Sequence, residues 1–377
     1  MEFKTIDDFD FFGKRVILRV DLNSEIRNGK VEINDRIIEH SRTIKELQKK
    51  GAKVIVIAHQ GRPGEYDFIS LKKHSLILNK LVKIKFVKDI LGEKAVKEIG
   101  NLKNSEAILL ENIRFLKEEF KPSKNNKIIR ILSPLADIFI NDALSISHRN
   151  QTSITGFPPV MPSGIGRVME KELRNIDKIT LKDSLYILGG SKVEDNMLLI
   201  EKERILSTGV FCLLTLIASD KNLGLENKRL AKYKKYIPKI KQNLNHIKNP
   251  IDLAFDFNGK RKEIELFDLP VNLRAFDIGR KSVELFKKEI NEAKNIFWKG
   301  TAGFAQNKEF EYGTRELLKI IEKSGVFCLV AGGHSSSAIK RFGIDKNKIG
   351  YVSLSGGALI HYIAGKKLPG LEALKRK

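Results

Sequence analysis

The sequence predicts an α/β fold of two doubly wound parallel-sheet lobes joined by a helix, and three observations carry that expectation. Short apolar runs such as VIVIA (54–58) end abruptly at polar residues, glycine or proline, the pattern of a strand covered on both faces. Between these runs lie stretches with apolar residues at helical spacing, so the alternation reads as βαβ. At FPPVMPSGIG (157–166) the composition breaks, and a second series of strand-like runs follows.

In order, RVILRV (15–20) leads into the helical DRIIEHSRTIKELQKKG (35–51), which closes on a glycine stop. KVIVIA (53–58), the helical SLKKHSLILNKLVK (70–83), KIKFVK (83–88), AILL (107–110), the helical NNKIIRILSPLA (125–136) and DIFI (137–140) continue the series. The helical RVMEKELRNIDKI (167–179) is the connector. The second series consists of SLYILGG (184–190), ILSTGVFCLL (205–214), NIFWKG (295–300), GVFCLVAGG (325–333) and YVSLSGG (351–357). The expected domains are 1–160, to which residues 360–377 return, and 161–359. Neither a short-period repeat nor a low-complexity tract interrupts them.

A chain of 377 residues is long enough for two domains with their own cores. No apolar stretch approaches the roughly 20 residues of a membrane span. The opening MEFKTIDDFDFF carries acids and no small-residue cleavage site, so a cytoplasmic protein is expected. Cys212 and Cys328 lie in apolar surroundings and are expected as free buried thiols, with neither a disulfide nor a metal cluster. The formal charge is +23. A nucleic-acid binder would gather such charge into a stripe with aromatics between; here lysine is scattered, which makes that reading secondary. A positive field would still draw small anions.

The strand ends differ between the halves. In the first, RVILRV runs into Asp21 and Asn23, the next helix opens with Arg36, KVIVIA runs into His59 and Arg62, AILL into Glu111, Asn112 and Arg114, and DIFI into Asn141 and Asp142, with His148 and Arg149 beyond. Arginine grips carboxylate or phosphate through paired hydrogen bonds, and so many cations on one rim point to a small, multiply charged anion. In the second half the strand ends are glycines: ILGGSK (187–192) with Gly189, Gly190 and Lys192, STG (207–209) with Gly209, AGGHSSS (331–337) with Gly332, Gly333, His334 and Ser335, and SLSGGA (353–358) with Gly356 and Gly357. Such glycines allow backbone N–H groups to approach a phosphate at a helix start. Neither a GxxxxGK[ST] loop nor a complete GxGxxG is present. An anion-gripping lobe beside a glycine-rich lobe suggests phosphoryl transfer across a closing cleft.

The motifs RVDLN, DRI, GAKVIVIAHQGRP, LLENIRF, INDALSISHR, ILGGSKVED, FDIG, GTAGF, AGGH, SGGA and GKKLPGLEAL, in this order, resemble those of the phosphoglycerate kinase family from about RVILRVDLN to the C-terminus, closest to its archaeal branch. The resemblance implies reversible transfer of the acyl phosphate of 1,3-bisphosphoglycerate to ADP carried with Mg2+, giving 3-phosphoglycerate and ATP. It implies that Asp21, Asn23, Arg36, His59, Arg62, Arg114 and Arg149 hold the phosphoglycerate. Arg36, Lys192, Gly356 and Gly357 would act on the transferring group, and Gly189, Gly190, Lys192, Gly209, Gln306, Gly332, Gly333, His334 and Ser335 would bind nucleotide. No metal ligand is assigned on the chain.

Departures from the family pattern gather on the nucleotide side, whereas the phosphoglycerate side differs only in Gln151, which replaces a second family histidine. Asn196 stands where a second lysine is common, Lys299 replaces the asparagine of a WNGP-like segment, Gln306 the ribose-holding acid, His334 a carboxylate, and Leu354 and Ser355 fall within an STGGG-like stretch. Lys299 either restores the charge missing at Asn196 or is one more surface lysine. Retention of Lys192 and Arg36 favours a working kinase over a relative that binds phosphoglycerate without transferring phosphate. Nucleotide preference and oligomeric state stay open.

Overall fold

The computed structural model describes residues 2–123 and 125–375. The chain forms two compact units, one containing the residues up to Arg174 together with those from Lys366 on, the other Asn175–Gly365.

The first unit is built on a parallel sheet of β1 (Arg15–Arg19), β2 (Lys53–Ile57), β3 (Lys85–Val87), β4 (Ala107–Leu110), β5 (Ile138–Asn141) and β6 (Ser163–Ile165), in the order β3-β4-β2-β1-β5-β6. Alternate residues of each strand enter different cores. Val16, Leu18, Val54 and Val56 pack with Ile44 and Leu47 on one face, and Ile17, Ile55, Ile57 and Ile108 with Phe139 and Phe157 on the other. Burial on both faces explains the unbroken apolar runs. Because β6 pairs in parallel with β5, residues beyond the Pro-rich break at 157–162 stay with this unit.

Helix α1 (Asp35–Lys49) starts where the Asn34 side chain accepts the Ile37 N–H at 3.1 Å, and it buries Ile37, Ile44 and Leu47. The helical stretch expected over 70–83 is shorter, Lys72–Leu78, because the Asn79 side chain accepts the Ile84 N–H and turns the chain. Near the end of the chain, the short helix Pro369–Glu372 docks on this unit through Gly370 N–H to the Ser147 carbonyl (2.9 Å), and Leu368, Leu371 and Leu374 are buried.

The second unit has a parallel sheet of β7 (Leu185–Leu188), β8 (Ile205–Ser207), β9 (Ile247–Lys248), β13 (Asn295–Lys299), β14 (Phe327–Ala331) and β15 (Gly350–Val352), in the order β9-β8-β7-β13-β14-β15. Beside it lies an antiparallel sheet of β10 (Asp252–Phe257), β11 (Lys260–Glu265) and β12 (Arg274–Ile278), in the order β11-β10-β12. This sheet is an addition to the expected doubly wound layout. Its hairpin turns on Asn258 and Gly259, both with positive φ, the signature of a two-residue loop. ILSTGVFCLL is a strand only to Ser207, then helix Gly209–Ala218, so Cys212 is helical and Cys328 lies in β14. Both thiols are free and buried. No helix of the described residues is long and apolar enough to cross a membrane.

Candidate functional site

In the first unit the chain order reverses between β1 and β5, and ligands of open α/β sheets bind beyond the strand ends at such a point. Asp21 follows β1. Its carboxylate accepts from the Asn23 N–H (3.0 Å) and the Ser145 hydroxyl (2.5 Å), and the Arg36 guanidinium lies 3.1 Å away. Burial raises its pKa, but the Arg36 charge and these hydrogen bonds outweigh it and hold the carboxyl far below the usual range. Asp21 therefore stays ionised and orients Arg36 on the first turn of α1.

The Asn23 side chain accepts the Gly61 N–H at 2.8 Å, tying the β1 end to the HQGRP loop. Gly61 has φ +70°, and a Cβ there would lie 2.4 Å from the Asp67 carbonyl, so only glycine fits. Gln60 joins the same two segments. Its carbonyl accepts from the Ser24 N–H (2.8 Å) and His74 Nε2 (3.0 Å), and its amide donates to the Ser24 carbonyl (3.1 Å).

Beneath His59 lies Arg19, with no solvent exposure, although it belongs to an apolar strand. Its Nε donates to the Ser153 hydroxyl (2.9 Å), which in turn donates to Glu119 (2.7 Å), and its Nη2 is 3.2 Å from His59 Nδ1. A guanidinium only donates, so Nδ1 accepts and the hydrogen of His59 sits on Nε2. Burial, then the charge of Arg19, pushes the His59 pKa well below its ordinary value. His59, expected as a ligand group for an anion, is thus a neutral N–H donor.

Arg114 is almost fully buried. It donates to the Gly61 carbonyl (2.7 Å) and reaches Gln151 Oε1 at 3.4 Å, while its Nε has no partner. Burial and the neighbouring charges of Arg149 and Arg19 push its pKa down to about 9. Arg149 is likewise disfavoured as a cation by burial and by Arg62. The structure thus brings Arg114, Arg149 and Arg62 together with Arg19 behind them, and the cost of burial and mutual repulsion at Arg114 and Arg149 is only partly offset by the carboxylates of Asp21 and Glu119. A multiply charged anion would relieve it. Arg19, Gln60, His74, Ser145 and Ser153 are the supporting residues that the sequence reading passed over. An arginine inside RVILRV was the one visible signal.

In the second unit the order reverses between β7 and β13. The loops after β7, β8 and β13 pack backbone to backbone: Gly189 N–H donates to the Lys299 carbonyl, Gly190 N–H to Thr301 and Gly209 N–H to Ala302, each at 2.8 Å. The expectation that these three N–H groups face a phosphate is therefore corrected. Carbonyls of the β13 loop already occupy them, and Gly209 is required because a Cβ would lie 2.6 Å from Gly190 N. Open backbone occurs instead at Gly333 and Gly357, in the first turns of helices Gly333–Arg341 and Gly356–Ile363, where a Cβ would meet nothing within 4 Å. First-turn N–H groups lack intrahelical acceptors. Ser335 Oγ is buried without a partner, and Gln306 Nε2 meets His334 Nδ1 at 2.9 Å. Lys192 is exposed on its loop.

Asp277 of the FDIG motif serves the frame of the unit. It accepts from the Ile278 and Gly313 N–H groups and from Arg261, and burial raises its pKa to about 6. A cleft of about 470 Å³ beside it is lined by Arg261, Arg280 and Tyr312, among others, but Glu263 already pairs with both arginines. Among the described residues no group of three or more His, Cys, Asp or Glu could hold a metal ion.

Two switch-point sheets, one ending in a cluster of arginines and the other in glycine loops with a lysine, suit an enzyme of the phosphoryl-transferring class. The comparisons agree. The family model for phosphoglycerate kinase matches residues 6–366. The phosphoglycerate kinase of Methanothermus fervidus is 37% identical over 99% of this chain and 97% of its own length, and that of Sulfurisphaera tokodaii 40% over 98% and 95%. The crystal structure of phosphoglycerate kinase from Pyrococcus horikoshii OT3 superposes with a TM-score of 0.90 at 32% identity, covering 98% of both chains. The chain belongs to the phosphoglycerate kinase family.

Proposed function

We propose that the cation cluster of the first unit is the phosphoglycerate site of a working kinase that interconverts 1,3-bisphosphoglycerate and 3-phosphoglycerate with Mg-ADP and Mg-ATP. The observation that carries this reading is the buried Arg114 with its orphan Nε, set beside the cations of Arg149 and Arg19. Arg62, Arg114, Arg149 and the His59 Nε2–H hold the phosphate end of the substrate. Arg36, oriented by Asp21, faces the carboxyl end, where phosphate is transferred.

Lys192 and the first-turn N–H groups at Gly356 and Gly357 receive the transferring group, and Gly332, Gly333, His334, Ser335 and Gln306 border the nucleotide. Gly189, Gly190 and Gly209 shape that border through packing. Mg2+ arrives as part of the nucleotide substrate, held mainly by phosphate oxygens, which suits an ion that keeps its waters and needs few protein ligands. No side chain need form a covalent intermediate. The chain contributes positioning and charge neutralisation. The scattered lysines and the absence of a membrane-length helix among the described residues fit a cytoplasmic enzyme of small anions.

The test is steady-state turnover of 3-phosphoglycerate and Mg-ATP with the product trapped by a coupled dehydrogenase. Lys192→Ala is expected to lower kcat by about 10²–10³-fold, the scale of losing one charge-stabilising group, while calorimetric binding of 3-phosphoglycerate is retained. Absence of turnover in the unaltered chain with that binding intact would instead favour a phosphoglycerate-binding relative or another nucleotide.

A further inference from the structure

Lys299 ends β13, in register with Leu188 of β7, at the point where the strand order of the second sheet reverses. In a chain whose lysines mostly face solvent, this residue is only 6% exposed. Its Nζ donates to the Lys192 carbonyl at 2.9 Å and approaches the Gly189 carbonyl at 3.5 Å. The nearest carboxylate oxygen, on Asp195, is 3.8 Å away. An ammonium carries three donors and a full charge, and a buried charge is costly unless an opposite charge meets it. Here the two closest contacts are neutral carbonyls, and the Asp195 carboxylate forms only a long ion pair. If Lys299 only braced the loop, an amide could make the same bonds without a buried charge.

Asn196 adds a second sign of an incomplete site. It has no solvent exposure, its Nδ2 donates to the same Gly189 carbonyl at 3.1 Å, and its Oδ1 is buried without a partner. Asn196 and Lys299 thus converge on one atom of the loop that carries Lys192. Burial pulls the Lys299 pKa down to about 8; Asp195 and Glu194 push it up, and Lys192 pushes it down.

We propose that Lys299 supplies a second positive charge to the nucleotide-phosphate site, and that it holds the Gly189–Lys192 loop in place for the polyphosphate of a magnesium nucleoside di- or triphosphate. The role rests on the kinase reading above. A polyphosphate arriving at this strand end adds negative charge to an ammonium whose ion pair with Asp195 is long at 3.8 Å, and the carbonyl contacts keep the ammonium positioned in the meantime.

The test compares Lys299→Asn, Lys299→Arg and the exchange Asn196→Lys with Lys299→Asn, measuring KM for Mg-ATP and for 3-phosphoglycerate, calorimetric binding of Mg-ADP, and Tm. Lys299→Asn is expected to weaken Mg-ADP and raise KM for Mg-ATP by about ten-fold, as for one charge-assisted contact, with KM for 3-phosphoglycerate within about two-fold. The exchange should recover most of the loss, because both positions reach the Gly189 carbonyl. Lys299→Arg should keep its affinity at pH 9, where the unaltered chain loses some of its own. Unchanged nucleotide binding in Lys299→Asn, or an exchange no better than Lys299→Asn alone, would overturn the proposal. The Mg-ADP measurement needs no turnover, so a failure of the kinase reaction would show separately in the unaltered chain.

Discussion

His59 shows how a neighbour sets the chemistry of a residue. Read alone, a histidine at the lip of a strand is a candidate cation; with Arg19 fixed against its Nδ1, it is a neutral donor whose hydrogen points away from the strand. His74, one layer further out, has the same character. It is fully buried, donates to Gln60, and burial lowers its pKa to about 4. The unfolded chain protonates such a histidine near its ordinary value of about 6.5, while the folded chain refuses the proton until about pH 4. Stability is therefore unaffected by His74 above pH 7 and is lost as pH falls from about 6.5 towards 4, by up to about 3 kcal/mol. Urea melts at pH 7 and pH 5 should show this loss shrinking in His74→Gln. An equal loss in the variant would assign the acid sensitivity to other groups.

Helix α1 connects its cap to the proposed substrate site. The Asn34 side chain accepts the Ile37 N–H and donates to Ser24 Oγ at 2.9 Å, so one residue starts the helix and ties it to the segment that follows Asp21. Arg36 lies on that first turn. Asn34→Ala should cost about 1 kcal/mol of stability, as other N-cap losses do, and should lower kcat more than the affinity for 3-phosphoglycerate, because the frayed turn carries Arg36. Chemical melts and initial rates on the same sample would check both. Much of this element was legible: DRIIEHSRTIKELQKKG has the apolar spacing and the glycine stop. What the spacing could not show was the cap's link to Ser24, which requires residues 24 and 34 to meet in space. The antiparallel sheet β10–β12 was harder to read, since KRKEIE presents charge on a half-exposed surface and lacks the apolar run that marks a strand buried on both faces.

At the scale of the whole molecule, the first unit depends on residues from the far end of the chain. Leu371 is 3% exposed in a short helix seated by Gly370 N–H on the Ser147 carbonyl, and a Cβ on Gly370 would lie 2.7 Å from Ile154 Cγ2. Leu371→Ala should destabilise this unit by about 2–5 kcal/mol through lost burial and a residual cavity. Ser147, Arg149 and Gln151 lie in the segment this helix covers. A scanning melt with and without 3-phosphoglycerate should therefore show a lower Tm that substrate partly restores. An unchanged Tm would mean that the helix adds no stability.

The sequence by itself determined the class of fold, the main strand-like runs, and the side chains at their carboxyl ends, because apolar periodicity and Gly/Pro punctuation are local properties of the chain; the order of the strands in each sheet came from the structure. The sequence also carried the family resemblance. Only the tertiary structure decided the protonation of His59, the closed N–H groups of Gly189, Gly190 and Gly209, and the burial of Lys299. Each depends on which distant atom lies within about 3 Å, a distance that hydrogen bonding and desolvation obey and that sequence separation does not encode.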